Sequence, residues 1–174
     1  MKKYTKTAMF FHWLIALMII ATFSFGLIMV DMPGITPTKL RFYSWHKWAG
    51  ITILGLTCLR LLWRLGHTPP EYPSNMPAWK KYAASVLHVF LYVLVFGIPI
   101  SGYLYSQSSG IPVTYLGIFP MPVIMDPNPE LKPLLKNLHY VLNMTLLASF
   151  SLHVLAALKH QFIDRDGTMK RMIP

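Results

Sequence analysis

The chain has 174 residues, 54% of them hydrophobic and only 13% charged, with a net charge of +10 and a single cysteine, Cys58. Average soluble domains carry about 25% charged residues, so this composition excludes a soluble globular domain. It also excludes a disordered chain, a disulfide scaffold and a covalently attached c-type haem, which needs two cysteines. The positive charge follows membrane topology and does not point to nucleic acid, and residues 1–174 form one transmembrane domain.

A helix crossing a bilayer needs about 20 mostly apolar residues. Residues 7–30 are uncharged, longer than a signal-peptide core and without a small-residue cleavage site, so they form a retained first span. The second span covers 42–63, with Lys47 and Arg60 near its ends, where long basic side chains snorkel to the headgroups. The third covers 82–105, and Pro99 between Gly97 and Gly102 predicts a kink in its outer half. The fourth covers 137–158. The connection at 31–40 is short. That at 65–79 carries Pro69, Pro70, Pro73 and Pro77 and is extended. The segment 106–133 holds six prolines and is aromatic enough to lie on the outer face, where a loop of this length is usually functional.

Lysine and arginine set the orientation. Eleven fall on the side of the N-terminus, the second connection and the C-terminus, against five on the other. With acids subtracted the sides carry +8 and +2. The expected architecture is therefore an all-α integral membrane four-helix bundle with both termini cytoplasmic.

Seven histidines in so short an apolar chain are its most informative feature, because intramembrane ionisable residues are rare and usually functional. His139 and His153 are fourteen residues apart. At about 100° and 1.5 Å per residue they share one helix face at levels about 21 Å apart. They cannot bind one ion, but they can serve two centres stacked across the bilayer. His46 is at the right depth to face His139, and either His12 or His88 to face His153. An iron porphyrin held by two axial imidazoles needs such facing pairs. Zinc is disfavoured, since these levels offer imidazoles without carboxylates. His160 continues the His153 face at the inner boundary, and His67 is expected to be solvent-exposed. Cys58 and the methionines read as packing residues, and the five tryptophans as an interfacial belt.

The motifs F-H-W at Phe11–Trp13, H-K-W-A-G at His46–Gly50, R-L-L-W-R-L at Arg60–Leu65, H-V-F-L-Y at His88–Tyr92, P-I-S-G at Pro99–Gly102, L-H-Y at Leu138–Tyr140 and the tail from His153 to Pro174 resemble the bacterial cytochrome b561 proteins over nearly the whole chain. The resemblance implies two non-covalent b haems, the inner on His12 and His153, the outer on His46 and His139. It also implies a role for His160 at an inner quinone site, as in a superoxide oxidase of that family. Gln161 departs from the pattern, where a second histidine is common. Related cytochrome b subunits of hydrogenases and formate dehydrogenases serve as membrane anchors for a partner.

Two functions follow. In the first, the chain is a superoxide:ubiquinone oxidoreductase. Lys39, Arg41 and Lys47 would attract the superoxide anion beside the outer haem, and His160 with Arg64 or Lys80 would bind the quinone. In the second, it is an electron-carrying anchor for a periplasmic dehydrogenase or other periplasmic electron donor, with 106–133 as the docking surface.

Overall fold

The computed structural model describes residues 2–73 and 76–173; Met1, Ser74, Asn75 and Pro174, which closes the tail motif, lie outside it. Four helices follow one another: α1 (Lys6–Asp31), α2 (Pro37–Gly66), α3 (Ala78–Ser108) and α4 (Leu131–Lys159). Each contains one expected span and extends past it. All four are long and apolar enough to cross a membrane. Their 26 to 31 residues rise about 40–46 Å, against a hydrocarbon core of about 30 Å. Hydropathy marks only the part in lipid, whereas backbone hydrogen bonding continues into the headgroups until a cap or proline ends it.

Those ends are specified locally. Thr5 caps α1 by accepting from the Ala8 N–H at 3.2 Å. Thr36 caps α2 through the Lys39 N–H at 3.1 Å, with Pro37 in the first turn. Asn128 Oδ1 accepts from the Glu130 and Leu131 N–H groups at 3.0 Å each and so starts α4. Helix α3 continues through Pro99.

Neighbours in sequence pack as neighbours in space, α1 on α2, α2 on α3 and α3 on α4. Between α4 and α1, the described residues show no comparable backbone approach. The buried apolar residues are few, Ile15, Ile53, Leu94 and Leu146 among them, while Leu17, Leu62, Val93 and Leu155 each keep more than half of their surface exposed. A bundle in lipid has no hydrophobic drive to bury such side chains. Cys58 is exposed as well, which corrects its expected packing role: its helix face meets the surroundings rather than another helix.

One end of the bundle holds both termini and the α2–α3 connection. The Tyr4 N–H donates to the Arg171 carbonyl at 3.2 Å, the Lys3 ammonium to the Ile173 carbonyl at 3.2 Å, and the Arg171 guanidinium to the Glu71 carbonyl. Two tryptophans add staples here, Trp13 to the Met172 carbonyl at 2.8 Å and Trp63 to Thr5 Oγ1 at 3.0 Å. We call this the terminal side. The opposite, loop side carries the other two connections.

The 106–133 segment does lie across the loop side, and it contains a two-stranded hairpin that periodicity does not reveal. Strand β1 (Thr114–Tyr115) pairs antiparallel with β2 (Phe119–Pro120). Trp48 donates to the Thr114 carbonyl at 2.7 Å, and Thr52 shares a 2.8 Å hydrogen bond with the Tyr115 hydroxyl. Gln107, only 4% exposed, ties the return strand down. Its amide donates to the Pro122 carbonyl at 2.8 Å and accepts from the Ile124 and Met125 N–H groups at 2.9 and 3.2 Å. Gln107→Leu leaves three backbone groups without that partner and should cost about 2–4 kcal/mol. Thermal unfolding in detergent should show the loss, with faster proteolysis confined to 109–130.

Candidate functional site

The histidines meet in two places. His12 of α1 and His153 of α4 face each other on the terminal side with ring centroids 6.3 Å apart and planes crossed at 73°. His46 of α2 and His139 of α4 repeat this on the loop side at 6.3 Å and 83°. All four rings are half-buried. A metal–imidazole bond of about 2.0–2.1 Å, taken twice with a ring radius added at each end, spans roughly 6.4 Å between centroids. Both pairs have this separation. His88 lies closer to His153, at 5.4 Å, too near for an ion between two imidazoles and near enough for direct contact.

The surroundings hold these rings in place. Gly102 of α3 lies against His139: a Cβ there would sit 2.9 Å from Cε1 and 3.2 Å from Nδ1. Gly26 of α1 lies against His46 in the same way, its Cβ position 3.2 Å from Cε1. His139 Nδ1 is 3.0 Å from both the Ile98 carbonyl and the Ser101 hydroxyl. With its proton on Nδ1 donated to that carbonyl, Nε2 is left as the ligand atom. The Nδ1 atoms of His12 and His46 are buried without a well-formed protein partner. Facing imidazoles at a two-bond separation, reached across α1–α4 at one level and α2–α4 at the other, fit an iron porphyrin between the members of each pair.

Of the three basic residues expected to attract an anion on the loop side, Lys39 donates from its ammonium to the Met32 carbonyl at 2.5 Å, which closes the end of α1. Arg41 is exposed and Lys47 half-buried. No carboxylate lies within salt-bridge distance of any of the three among the described residues.

On the terminal side, α4 ends in a π-helical turn, His160–Asp164, after which Arg165 and Gly167 adopt left-handed backbone and reverse the chain. The reversal returns Asp166 to His160, whose Nδ1 donates to Oδ2 at 2.6 Å, and a backbone N–H from Thr168 donates to Oδ1 at 2.9 Å. Asp164 is 3.4 Å from the same imidazole nitrogen and takes Lys159 at 2.6 Å and Lys80 at 3.3 Å. His160, Asp164 and Asp166 hold their ligand atoms within 4.8 Å of one another, but two ammonium groups already neutralise Asp164, so the cluster is an ion-pair network. A cavity of about 200 Å³ beside it is lined by Met76, Pro77, Lys80, Asp164 and Asp166. Lys80 and His160 are thus joined through Asp164. Arg64 is not with them: its guanidinium lies over the Tyr92 ring, 5.9 Å from the centroid. Sequence reasoning missed Asp166 because its pairing with His160 depends on a chain reversal; the only trace was the D-R-D-G run that permits one.

Burial pushes the Asp166 carboxyl up, but the Thr168 N–H and the His160 imidazole outweigh it and hold it below the ordinary value of 3.8. A depressed carboxyl stabilises the fold above its unfolded value and loses that contribution as pH falls through the folded one. Hydrogen exchange of residues 166–171 should therefore stay slow at neutral pH and accelerate only below about pH 3.8, and Asp166→Asn should abolish the acid step.

The whole chain can be compared with known proteins. Residues 3–174 match the family described as prokaryotic cytochrome b561. The chain is 35% identical to cytochrome b561 homolog 2 of Escherichia coli K12 over 94% of its length and 87% of that protein's. It is 30% identical to cytochrome b561 homolog 1 of the same strain over 100% and 98%. It is 32% identical to the probable superoxide oxidase CybB of Yersinia pestis over 99% and 97%. With four spanning helices, histidines facing in pairs at two levels and relatives aligned from end to end, the chain belongs to the prokaryotic cytochrome b561 family.

Proposed function

We propose that the chain is a superoxide:ubiquinone oxidoreductase of the bacterial inner membrane, with both termini in the cytoplasm and two b haems, one on His12 and His153 and one on His46 and His139. Membership of the family makes it a multi-pass membrane electron-transfer protein with b-type haem. The observation that carries the finer reading is the repeated 6.3 Å histidine pair at two levels of one bundle. The relative named as a probable superoxide oxidase supports the donor.

Haem held by these histidine pairs would supply one-electron carriers suited to outer-sphere transfer. The chain's own residues do the rest. Gly26 and Gly102 let α1 and α3 approach the His46 and His139 rings, and the Ile98 carbonyl holds the His139 tautomer. Lys39, Arg41 and Lys47 form an unpaired positive surface beside the loop-side pair, which concentrates an anionic substrate. Two superoxide anions leave as dioxygen and release two electrons, which reduce one quinone together with two protons. His160, held by Asp166, and Lys80, held by Asp164, are proposed to hydrogen-bond the quinone carbonyl and pass those protons from the terminal side.

A second reading, an electron-carrying anchor for a periplasmic partner, is favoured by the apolar crest of the loop side. Ile118, Phe119, Val123 and Ile124 are each 59–71% exposed there.

The full chain in liposomes with ubiquinone should form quinol when superoxide is generated outside and no partner is present. Inertness that a partner relieves would establish the anchor instead. Quinol formation should slow as salt rises, and Lys39→Gln/Arg41→Gln/Lys47→Gln should lower the rate roughly tenfold while flattening the salt dependence. Gly102→Ala should displace His139 and remove about one of the two haems, read from the reduced-minus-oxidised spectrum against protein; a full haem complement would contradict the His46–His139 site.

A further inference from the structure

We propose that Arg60, Arg64 and Tyr92 form an oxyanion clamp on the terminal side that receives the propionate carboxylates of the haem held by His12 and His153. The inference rests on the four-histidine reading and assigns residues that this reading leaves idle.

Arg60 and Arg64 are four residues apart on α2, so they share a face. Two like charges there repel unless something anionic lies between or beside them. Their guanidiniums instead converge on one ring of α3, at 5.6 and 5.9 Å from the Tyr92 centroid. Among the described residues neither has a carboxylate within salt-bridge distance. The Tyr92 hydroxyl is buried with no hydrogen-bond partner. A buried hydroxyl without a partner costs about 1–3 kcal/mol, and the guanidinium of Arg60 is half-buried without a carboxylate among the described residues. The three groups border a cavity of about 90 Å³, to which Lys2 and Lys3 add two further cations and no acidic residue contributes. Two guanidiniums, the Tyr92 hydroxyl and two lysines, with no carboxylate among the described residues that line the cavity, suit an oxygen anion, and paired guanidiniums match planar carboxylates best.

The position selects the anion. Ala8 lines the cavity, and His12 follows it by four residues on α1, about 6 Å along the axis. Tyr92 follows His88 by one turn on α3, and a helical side chain leans back toward its N-terminus. The cavity opens at the N-terminal residues and the Thr68–Pro70 connection and runs inward to Arg60 and Tyr92, which are half-buried; its inner end lies about one helical turn from the terminal-side histidine level, deeper than a lipid phosphate at the headgroup surface would sit.

The test uses the haem-loaded full chain. In Arg60→Gln/Arg64→Gln the midpoint potential of one haem should fall, because an uncompensated propionate favours ferric iron. Its reduced-to-oxidised ratio at fixed potential should drop about tenfold, about 59 mV for a one-electron couple, with the second haem nearly unmoved. Tyr92→Phe changes no charge, so it separates contact from field: the resonance Raman propionate-bending band of the same haem should shift while both haems stay bound. Unchanged Raman bands and unchanged potentials overturn the clamp. Unchanged bands with loss of a co-purifying anionic phospholipid in the double variant, read by native mass spectrometry, assign the site to a lipid phosphate and also overturn it. A purified chain without haem absorbance overturns the underlying histidine reading, a distinct result.

Discussion

An imidazole placed in hydrocarbon has no water to satisfy its second nitrogen, so every intramembrane histidine must find a carbonyl, another side chain or a metal. Four such rings organise this bundle. Helix α4 supplies one ring at each level, and α1 and α2 supply the facing rings across a gap that backbone contacts do not close. The α3 helix buttresses α4 and brings Gly102 and the Ile98 carbonyl against His139. Packing and chemistry are therefore one arrangement: the helix pairs that touch hold the helices that must stand apart.

The terminal side carries two polar clusters that differ in balance. Around His160 each charge is answered, Asp166 by the imidazole and the Thr168 N–H, Asp164 by Lys80 and Lys159. Around Tyr92 two guanidiniums and two lysines meet no acid among the described residues. The balanced network suits groups that exchange protons while remaining where they are. The unbalanced one suits a group that brings its own negative charge. Lys80 and Arg64 thus belong to separate clusters, although sequence reasoning offered them as alternatives for one task.

The loop side is built differently. Its polar groups are spent on strapping the 106–133 segment down, through Trp48, Thr52 and the buried Gln107, and on closing α1 with the Lys39 ammonium. What remains facing outward is an apolar crest flanked by unpaired positive charge. Tryptophans expected only as an interfacial belt serve as staples at both ends, because an indole has an apolar body suited to lipid and one N–H that needs a carbonyl.

Composition, hydropathy and histidine spacing were enough to determine four spans, their order, and two histidine levels on one helix, because a bilayer enforces a 3.6-residue period and a minimum length on any chain that crosses it. The motifs then singled out the four candidate ligand positions. Tertiary structure decided what depends on chain reversals and on distances between helices: the 5.4 Å against 6.3 Å spacing that separates His88 from His12, the return of Asp166 to His160, the hairpin in a segment too short for strand periodicity, and the convergence of Arg60 and Arg64 on Tyr92. A linear pattern records which side of one helix a residue occupies. It carries no record of which neighbouring helix arrives there or how closely, since that is set by the packing of whole elements.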